Sequence, residues 1–499
     1  MNTPKQPHMN PSEPTPFQHA EKQLYTLRFE GMPLGYLCAS FFDHTWAKYL
    51  DVSLFRTYKK LVTNLLKSVG KRRYLNDMQA SILYHKSGYD RHYVAMELAA
   101  RRVNNMADSQ TGTSTADTPQ TTKAPILQVI GPQGASDIAF GKVYYHCGLG
   151  GLLKALRFLR QNARSINTIL DNSTLTAQQR RLFYVHLTMQ QLKGLSAQKF
   201  LKRQSSLKVL CVDYDRSGDA STLVAAAKAL QATRSQRSAE ALNTEGGARG
   251  LPTITLQHGV FSPPVGYAPL LADQCWTWGD MTKQQLVDLG ENPQAIINVG
   301  TPIIETIPLT NEHRQAARQR HQLKPGKTFL LALSGPDKTL DDALAAQFQA
   351  IKSQYGQPTD NFLVKTHPSY KQTNYSWLET TYGLTWLPLD IPYADVMNMT
   401  DVLFCHNSGF GAEALFYGIQ VGIIEVPGYD AGNGLQLHQH LGVPLIRQTE
   451  DVVPLLTPQD QAVTQEQSKR LFHTTGEVAA QAIADRLKAA LKPATHDDR

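Results

Sequence analysis

The chain has 499 residues, 41% hydrophobic and 18% charged. This is ordinary globular composition and excludes a collagen, a coiled coil or wholesale disorder, and at ~150 residues per domain it makes about three structural units. The 50 Lys and Arg against 42 Asp and Glu leave a net charge of +8, a mild excess that suits an anionic ligand or a membrane surface and equally a well-solvated exterior.

Residues 1–20 are polar and Pro-rich and read as a disordered tail without the apolar core of a signal peptide. From 21 to 105 the pattern is mainly helical. Leu54, Tyr58, Leu61, Leu65 and Val69 recur at helical spacing, beside a local basic excess at Lys59, Lys60, Lys67, Lys71, Arg72 and Arg73. A Thr/Ser/Pro-rich linker occupies 106–125, and a second polar insertion runs over 235–250.

Short apolar strands then alternate with helices. The first set has strands at 126–130, 207–212, 253–257, 275–278 and 296–299, with helices at 176–202, 219–231 and 281–289. The second has strands at 329–333, 362–366, 384–387, 402–405 and 421–425, with helices at 339–354, 392–398, 411–417 and 465–491. Such alternation implies an α/β chain of two Rossmann-like domains with doubly wound parallel sheets, 126–302 and 303–499, joined near Gly300-Thr301-Pro302. Ligands of these sheets bind at the carboxyl ends of the strands.

Cys38, Cys147, Cys211, Cys275 and Cys405 are odd in number, far apart and without a CxxC. They read as buried reduced thiols, as in a cytosolic chain. No apolar stretch approaches the ~20 residues of a membrane span. The expected location is the cytoplasm, with peripheral attachment to the inner membrane left open.

Several strand ends carry chemistry. In NFLVKTHP (361–368), Lys365 and His367 are two apart and share a side of the strand, and Pro368 ends the ladder. A cation and an imidazole projecting together suit a phosphate, although a surface Lys beside a capping His fits as well. In DVLFCHNSGFGAEA (401–414) an apolar strand runs into Asn407, Ser408 and Gly409 before a helix. Asn407 and Ser408 can bond a phosphate oxygen, Gly409 and Gly411 let it approach, and either polar residue can simply cap the helix. Glu413 could accept from a ribose hydroxyl or be a surface acid matched to the helix dipole. The small residues of SGPDK, with Ser334 at the end of the first strand of this half, admit a ligand near the backbone.

The other half offers TITLQHGV (253–260), with His258 beside Gly259 at a strand end. Imidazole has the pKa for proton transfer near neutral pH, and a structural histidine is the alternative. KVLCVDYDRSG (208–218) spells D-x-D with Asp213 and Asp215, which could bind a divalent metal, supply a carboxylate base, or form an Asp/Ser/Gly turn. The glycine loop after 126–130 lacks the dinucleotide spacing.

TLQHGV (255–260), ADQCWTWGDMTKQQLVDLG (272–290), INVGTP (297–302), LVKTHP (363–368) and DVLFCHNSGFGAEALFYGIQVGII (401–424) occur in that order, with LRFEGMPLG (27–35) upstream. In this order and spacing they resemble the bacterial surface-polysaccharide transferases of the GT-B fold, a group that includes CDP-glycerol glycerophosphotransferases and bacterial sialyltransferases. The resemblance covers roughly 250–445. It implies two Rossmann-like domains facing a cleft, and a metal-independent glycosyltransferase moving a sugar from a nucleotide-activated donor to a capsule or lipopolysaccharide acceptor. It also implies that His367, Asn407 and Ser408, with Lys365 alongside, hold the nucleotide phosphates, and that His258 is the base, with Asp215 as the alternative. Two departures from the sialyltransferase pattern stand out: Asn407-Ser408 replaces paired serines, and Asp213-Tyr214-Asp215 only approximates an acidic-acidic-glycine motif. These departures leave a CMP-sugar donor as a lean, with UDP- or CDP-linked groups beside it. The expected partners are a nucleotide-sugar donor and a polysaccharide or glycolipid acceptor, with no nucleic acid and no separate cofactor. The rivals are a CDP-polyol phosphotransferase, a nucleotide-sugar epimerase, and a non-catalytic polysaccharide-binding or export-assembly protein.

Overall fold

The computed structural model describes residues 16–43, 80–86, 127–131, 137–173, 175–240, 251–257, 259, 267–304, 307–335, 337–367, 375–429, 431–457 and 461–491, with isolated positions at 59, 62, 63, 66, 96, 99, 102 and 103. The apolar stripe from Leu54 to Val69, the basic stretch beyond Lys59 and the 106–125 linker lie outside the described residues.

Helix α1 (Pro16–Leu24) leads through a hairpin of β1 (Arg28–Phe29) and β2 (Met32–Pro33) to α2 (Leu34–Asp43) and β3 (Ile82–His85). Next come β4 (Leu127–Gly131), β5 (Ile138–Ala139), α3 (Phe140–Tyr144), α4 (Gly148–Asp171), α5 (Ala177–Leu201), β6 (Val209–Val212) and α6 (Gly218–Glu240). The first half closes with β7 (Thr253–Leu256), β8 (Gln274–Thr277), α7 (Asp280–Asp288) and β9 (Ile296–Asn298). These strands form a seven-stranded sheet in the order β5-β4-β3-β6-β7-β8-β9, and every neighbouring pair is parallel.

The second half runs α8 (Asn311–Arg320), β10 (Thr328–Ala332), α9 (Lys338–Tyr355), β11 (Asn361–Lys365), α10 (Ser376–Tyr382), β12 (Thr385–Trp386), α11 (Tyr393–Met399) and β13 (Val402–Cys405). It continues with α12 (Phe410–Phe416), β14 (Gln420–Ile424), α13 (Gly432–Leu441), β15 (Leu445–Ile446), α14 (Val453–Leu456), α15 (Gln461–Leu471) and α16 (Gly476–Leu491). Its six-stranded sheet has the order β12-β11-β10-β13-β14-β15, again parallel throughout.

Both orders are the Rossmann order, in which the third, second and first strands precede the fourth and those beyond it. Each sheet is apolar on both faces because its strands alternate two sets of large side chains. In the first sheet Ile82, Val209 and Cys211 face one layer, and Leu83, Leu210 and Val212 face the other. In the second, Leu330, Leu363 and Leu403 oppose Phe329, Phe362 and Phe404. The chain is therefore two doubly wound Rossmann-like domains, the GT-B arrangement.

The structure differs from the sequence pattern in several places. Residues 16–20, read as tail, open α1, and Ala20, Glu21 and Leu24 are buried. The helical region 21–105 also supplies β3, whose four residues are all buried at the centre of the first sheet. Helix α6 runs on to Glu240, into the polar insertion. The helix expected over 465–491 is two. The chain breaks between α15 and α16, where Thr301 donates to the Thr474 carbonyl at 2.8 Å and Gly476 to the Thr301 carbonyl at 3.2 Å. Helix α16 then packs Ile483, Ala484 and Leu487 on the first sheet. All five cysteines are buried, and burial pushes the Cys405 thiol up to about 12.

Candidate functional site

At the centre of the second sheet β10 and β13 run side by side, Ala332 opposite Cys405. From β10 the chain returns to build β11 and β12 on one side, whereas from β13 it builds β14 and β15 on the other. The loops leaving these two strands diverge, and a crevice opens at their carboxyl ends. A hydrogen bond joins the loops here: the Asn407 N–H donates to the Ser334 hydroxyl at 3.1 Å.

The residues expected at the phosphate lie around this point. Lys365 ends β11, half-buried, with its Nζ 5.7 Å from the centre of the Phe410 ring at the start of α12. Two residues on, His367 is also half-buried. Burial, and then the Lys365 charge, lower its pKa from the usual histidine value, so at neutral pH the ring is neutral and offers a directed hydrogen bond. The Ser408 hydroxyl accepts from the Phe410 N–H at 3.3 Å, which is the capping role. Ser408 and Gly409 are both partly exposed, and among the described residues nothing accepts from their backbone N–H groups. Glu413 lies one turn into α12 and accepts from the Tyr393 hydroxyl at 2.5 Å, which fixes its carboxylate.

Sequence reasoning missed the wall behind these loops. A side chain at Gly432 would bring its Cβ within 2.7 Å of Asn407 Nδ2, and one at Gly434 within 2.0 Å of the His406 carbonyl. The start of α13 therefore presses on the β13 loop only because both positions are glycine. The G-N-G spacing after an apolar strand was the available signal. His406 is fully buried with its Nδ1 on the Ile424 carbonyl at 2.8 Å, locking the end of β13 to β14.

Of the two expected catalytic residues, only Asp215 is described. His258 lies outside the described residues. Its neighbours are braced, since the Gln257 amide donates to the Gly259 carbonyl at 2.8 Å and accepts from the Trp278 N–H at 2.7 Å. Asp215 is fully buried, and its Oδ2 accepts from the N–H groups of Leu271 and Ala272 at 2.9 and 3.0 Å. A carboxylate shut from solvent and bonded to two amides anchors a loop. Asp213 is buried too, its N–H on the His85 carbonyl at 3.3 Å.

No protein-family model matches the chain, and no curated protein does. Among solved structures, UDP-N-acetylglucosamine 2-epimerase from Rickettsia bellii aligns over 83% of this chain and 96% of its own, at 10% identity and a TM-score of 0.42. The wall teichoic acid polymerase TagF aligns over 88% and 97%, at 10% identity and 0.41. UDP-GlcNAc 2-epimerase from Neisseria meningitidis, solved with UDP-GlcNAc, aligns over 82% and 99%, at 11% and 0.41. Likeness at this level says nothing of activity, and the fold rests on the chain's own two sheets and their strand order.

Proposed function

We propose that the chain is a transferase, holding a nucleotide-activated donor in the crevice between β10 and β13 and passing the activated group to a polysaccharide or glycolipid hydroxyl. The observation that carries the reading is that Lys365, His367 and the partly exposed Ser408-Gly409 loop all follow strands flanking the strand-order reversal of the second sheet, with Lys365 Nζ 5.7 Å from the Phe410 ring. These groups suit a phosphate, with charge from Lys365 and directed donors from the imidazole and amides. As the bond from the activated group to the phosphate oxygen breaks, the same groups take up the charge that develops on the leaving nucleotide. In this reading Glu413 accepts from a ribose hydroxyl. The acceptor oxygen forms the new bond and gives its proton to His258, whose strand ends in the facing domain. The donor reading leans to a CMP-sugar, and a UDP- or CDP-linked group would use the same contacts. The metal-independent mechanism predicts activity that survives EDTA, whereas loss restored by Mn²⁺ would put a metal on Asp213 and Asp215.

Turnover in the presence of donor and acceptor tests the assignment of the base. A positioned base contributes ~10²–10⁴-fold. His258→Ala is expected to lower turnover by about that factor with nucleotide affinity kept. If Asp215→Asn loses turnover and His258→Ala keeps it, the base is the aspartate. A product that is an isomer of the donor sugar, formed without acceptor, would make the chain an epimerase and end the transferase reading.

A further inference from the structure

Helix α4 carries two apolar faces. Ala155, Ile166 and Leu170 are buried against the core, as a helix on a sheet requires. Beside that face Leu149, Leu153 and Leu156 are 64%, 67% and 50% exposed. Their spacing of four and three residues sets them in one ridge. Arg160 continues the ridge one turn on, and Arg157 and Arg164 flank it, all three exposed. None of the three has a carboxylate partner among the described residues. Lys154 adds a fourth cation, 3.0 Å from Glu30, and the only acid in α4 is its last residue, Asp171. Three adjacent exposed leucines cost solvation and mark an interaction surface. The cations beside them select an anionic one.

The place of the helix agrees. Phe140 of α3, just before α4, stacks on His85 at the end of β3, with centroids 5.2 Å apart and planes at 26°. Tyr144 donates to the Asp219 carbonyl in the first turn of α6 at 2.9 Å. The leucine-bearing end of α4 therefore starts at the carboxyl ends of the first sheet, where a Rossmann-like domain presents its ligand.

We propose that this ridge docks on the surface of an anionic phospholipid bilayer. The leucines enter the headgroup boundary, and the arginines lay their stems along it with guanidinium groups on lipid phosphates. The inference stands on α4 alone and does not rest on the transferase reading.

The test is co-sedimentation of the full chain with vesicles of phosphatidylcholine and of phosphatidylcholine mixed equally with phosphatidylglycerol. The wild type is expected to pellet with the mixed vesicles, less so as salt rises, and weakly with the neutral ones. Replacing Arg157, Arg160 and Arg164 together by Gln should weaken binding to the mixed vesicles on the order of a hundredfold. Combined Leu149→Ser, Leu153→Ser and Leu156→Ser should weaken it at least tenfold, with an unchanged melting temperature because all three side chains are exposed. Single Leu153→Ser should show a smaller loss. Failure of the wild type to bind the mixed vesicles overturns the proposal, as does binding indifferent to both sets. A dimer in sedimentation velocity that Leu153→Ser dissolves, without vesicle binding, would instead give the ridge to a second copy of the chain and equally overturn it.

Discussion

Glu21 and Arg216 meet in the interior, the guanidinium donating to both carboxylate oxygens at 3.1 and 2.7 Å. The pair ties α1 to the loop after β6, and Tyr25 adds a bond to Glu21 at 2.8 Å. Both side chains are almost wholly out of solvent, so removing one charge leaves the other buried without its counter-ion, at a cost of about 3–5 kcal/mol. Glu21→Gln keeps the shape and is expected to lower the urea midpoint by that amount of stability, whereas a loss below ~1 kcal/mol would mean that the site hydrates or relaxes. The neighbouring Asp215, three residues beyond β6, has a structural task that its motif does not report, because two backbone N–H groups hold its carboxylate. At His367 it is instead the environment that matters, because burial beside Lys365 keeps the ring neutral.

Helix α9 begins at the same crevice. Its cap Asp337 accepts from the N–H groups of Thr339 and Leu340 at 3.0 and 3.2 Å. One turn in, Asp341 is buried with its Oδ1 unpartnered among the described residues. Burial first, then the Asp337 charge, raise its pKa to about 7, with Lys338 opposing. The folded chain thus binds this proton more tightly than the unfolded chain, whose aspartate titrates at ~3.9. The stability Asp341 contributes is fully present below about pH 4 and lost as pH rises through about 7. Asp341→Asn should therefore match the wild type in melting temperature near pH 4 and exceed it above pH 7; a difference that does not vary with pH would contradict this. Elements of this kind were legible in the sequence where one physical rule governed them. Strands β6, β7, β10, β11 and β13 are short apolar runs ended by polar or glycine residues, and the Lys365, His367 and Ser408 loops follow them. Strand β3 was hidden because four residues between polar stretches carry little periodicity. Helix α4 was hidden because its second leucine face blurs a single buried stripe. The α15–α16 break depends on Thr301, far away in the chain, which no local pattern reports.

The two sheets are linked by two crossings that lie against each other. The chain passes outward at Gly300 and Thr301 and returns at Thr474 and Thr475, paired there as a short parallel bridge. Gly300 has a φ of 79°, and a Cβ there would come within 2.2 Å of the Thr474 carbonyl, so a single methyl would disturb the hinge. Across the domains Gln285 of α7 donates to Gln436 of α13 at 2.6 Å. In the proposed transferase such a paired hinge would hold donor and acceptor in register, which is where orientation contributes to rate. Calorimetric titration of CMP, CDP, UDP, GDP and ADP into the wild type, His367→Ala, Ser408→Ala and His258→Ala bears most directly on the donor site proposed for the second domain. At least one nucleotide is expected to bind, with affinity reduced by about 10- to 100-fold in His367→Ala, the worth of one hydrogen bond to a charged group, and unchanged in His258→Ala. Failure of every nucleotide to bind the wild type, or equal binding by wild type, His367→Ala and Ser408→Ala, would contradict a donor site between β10 and β13.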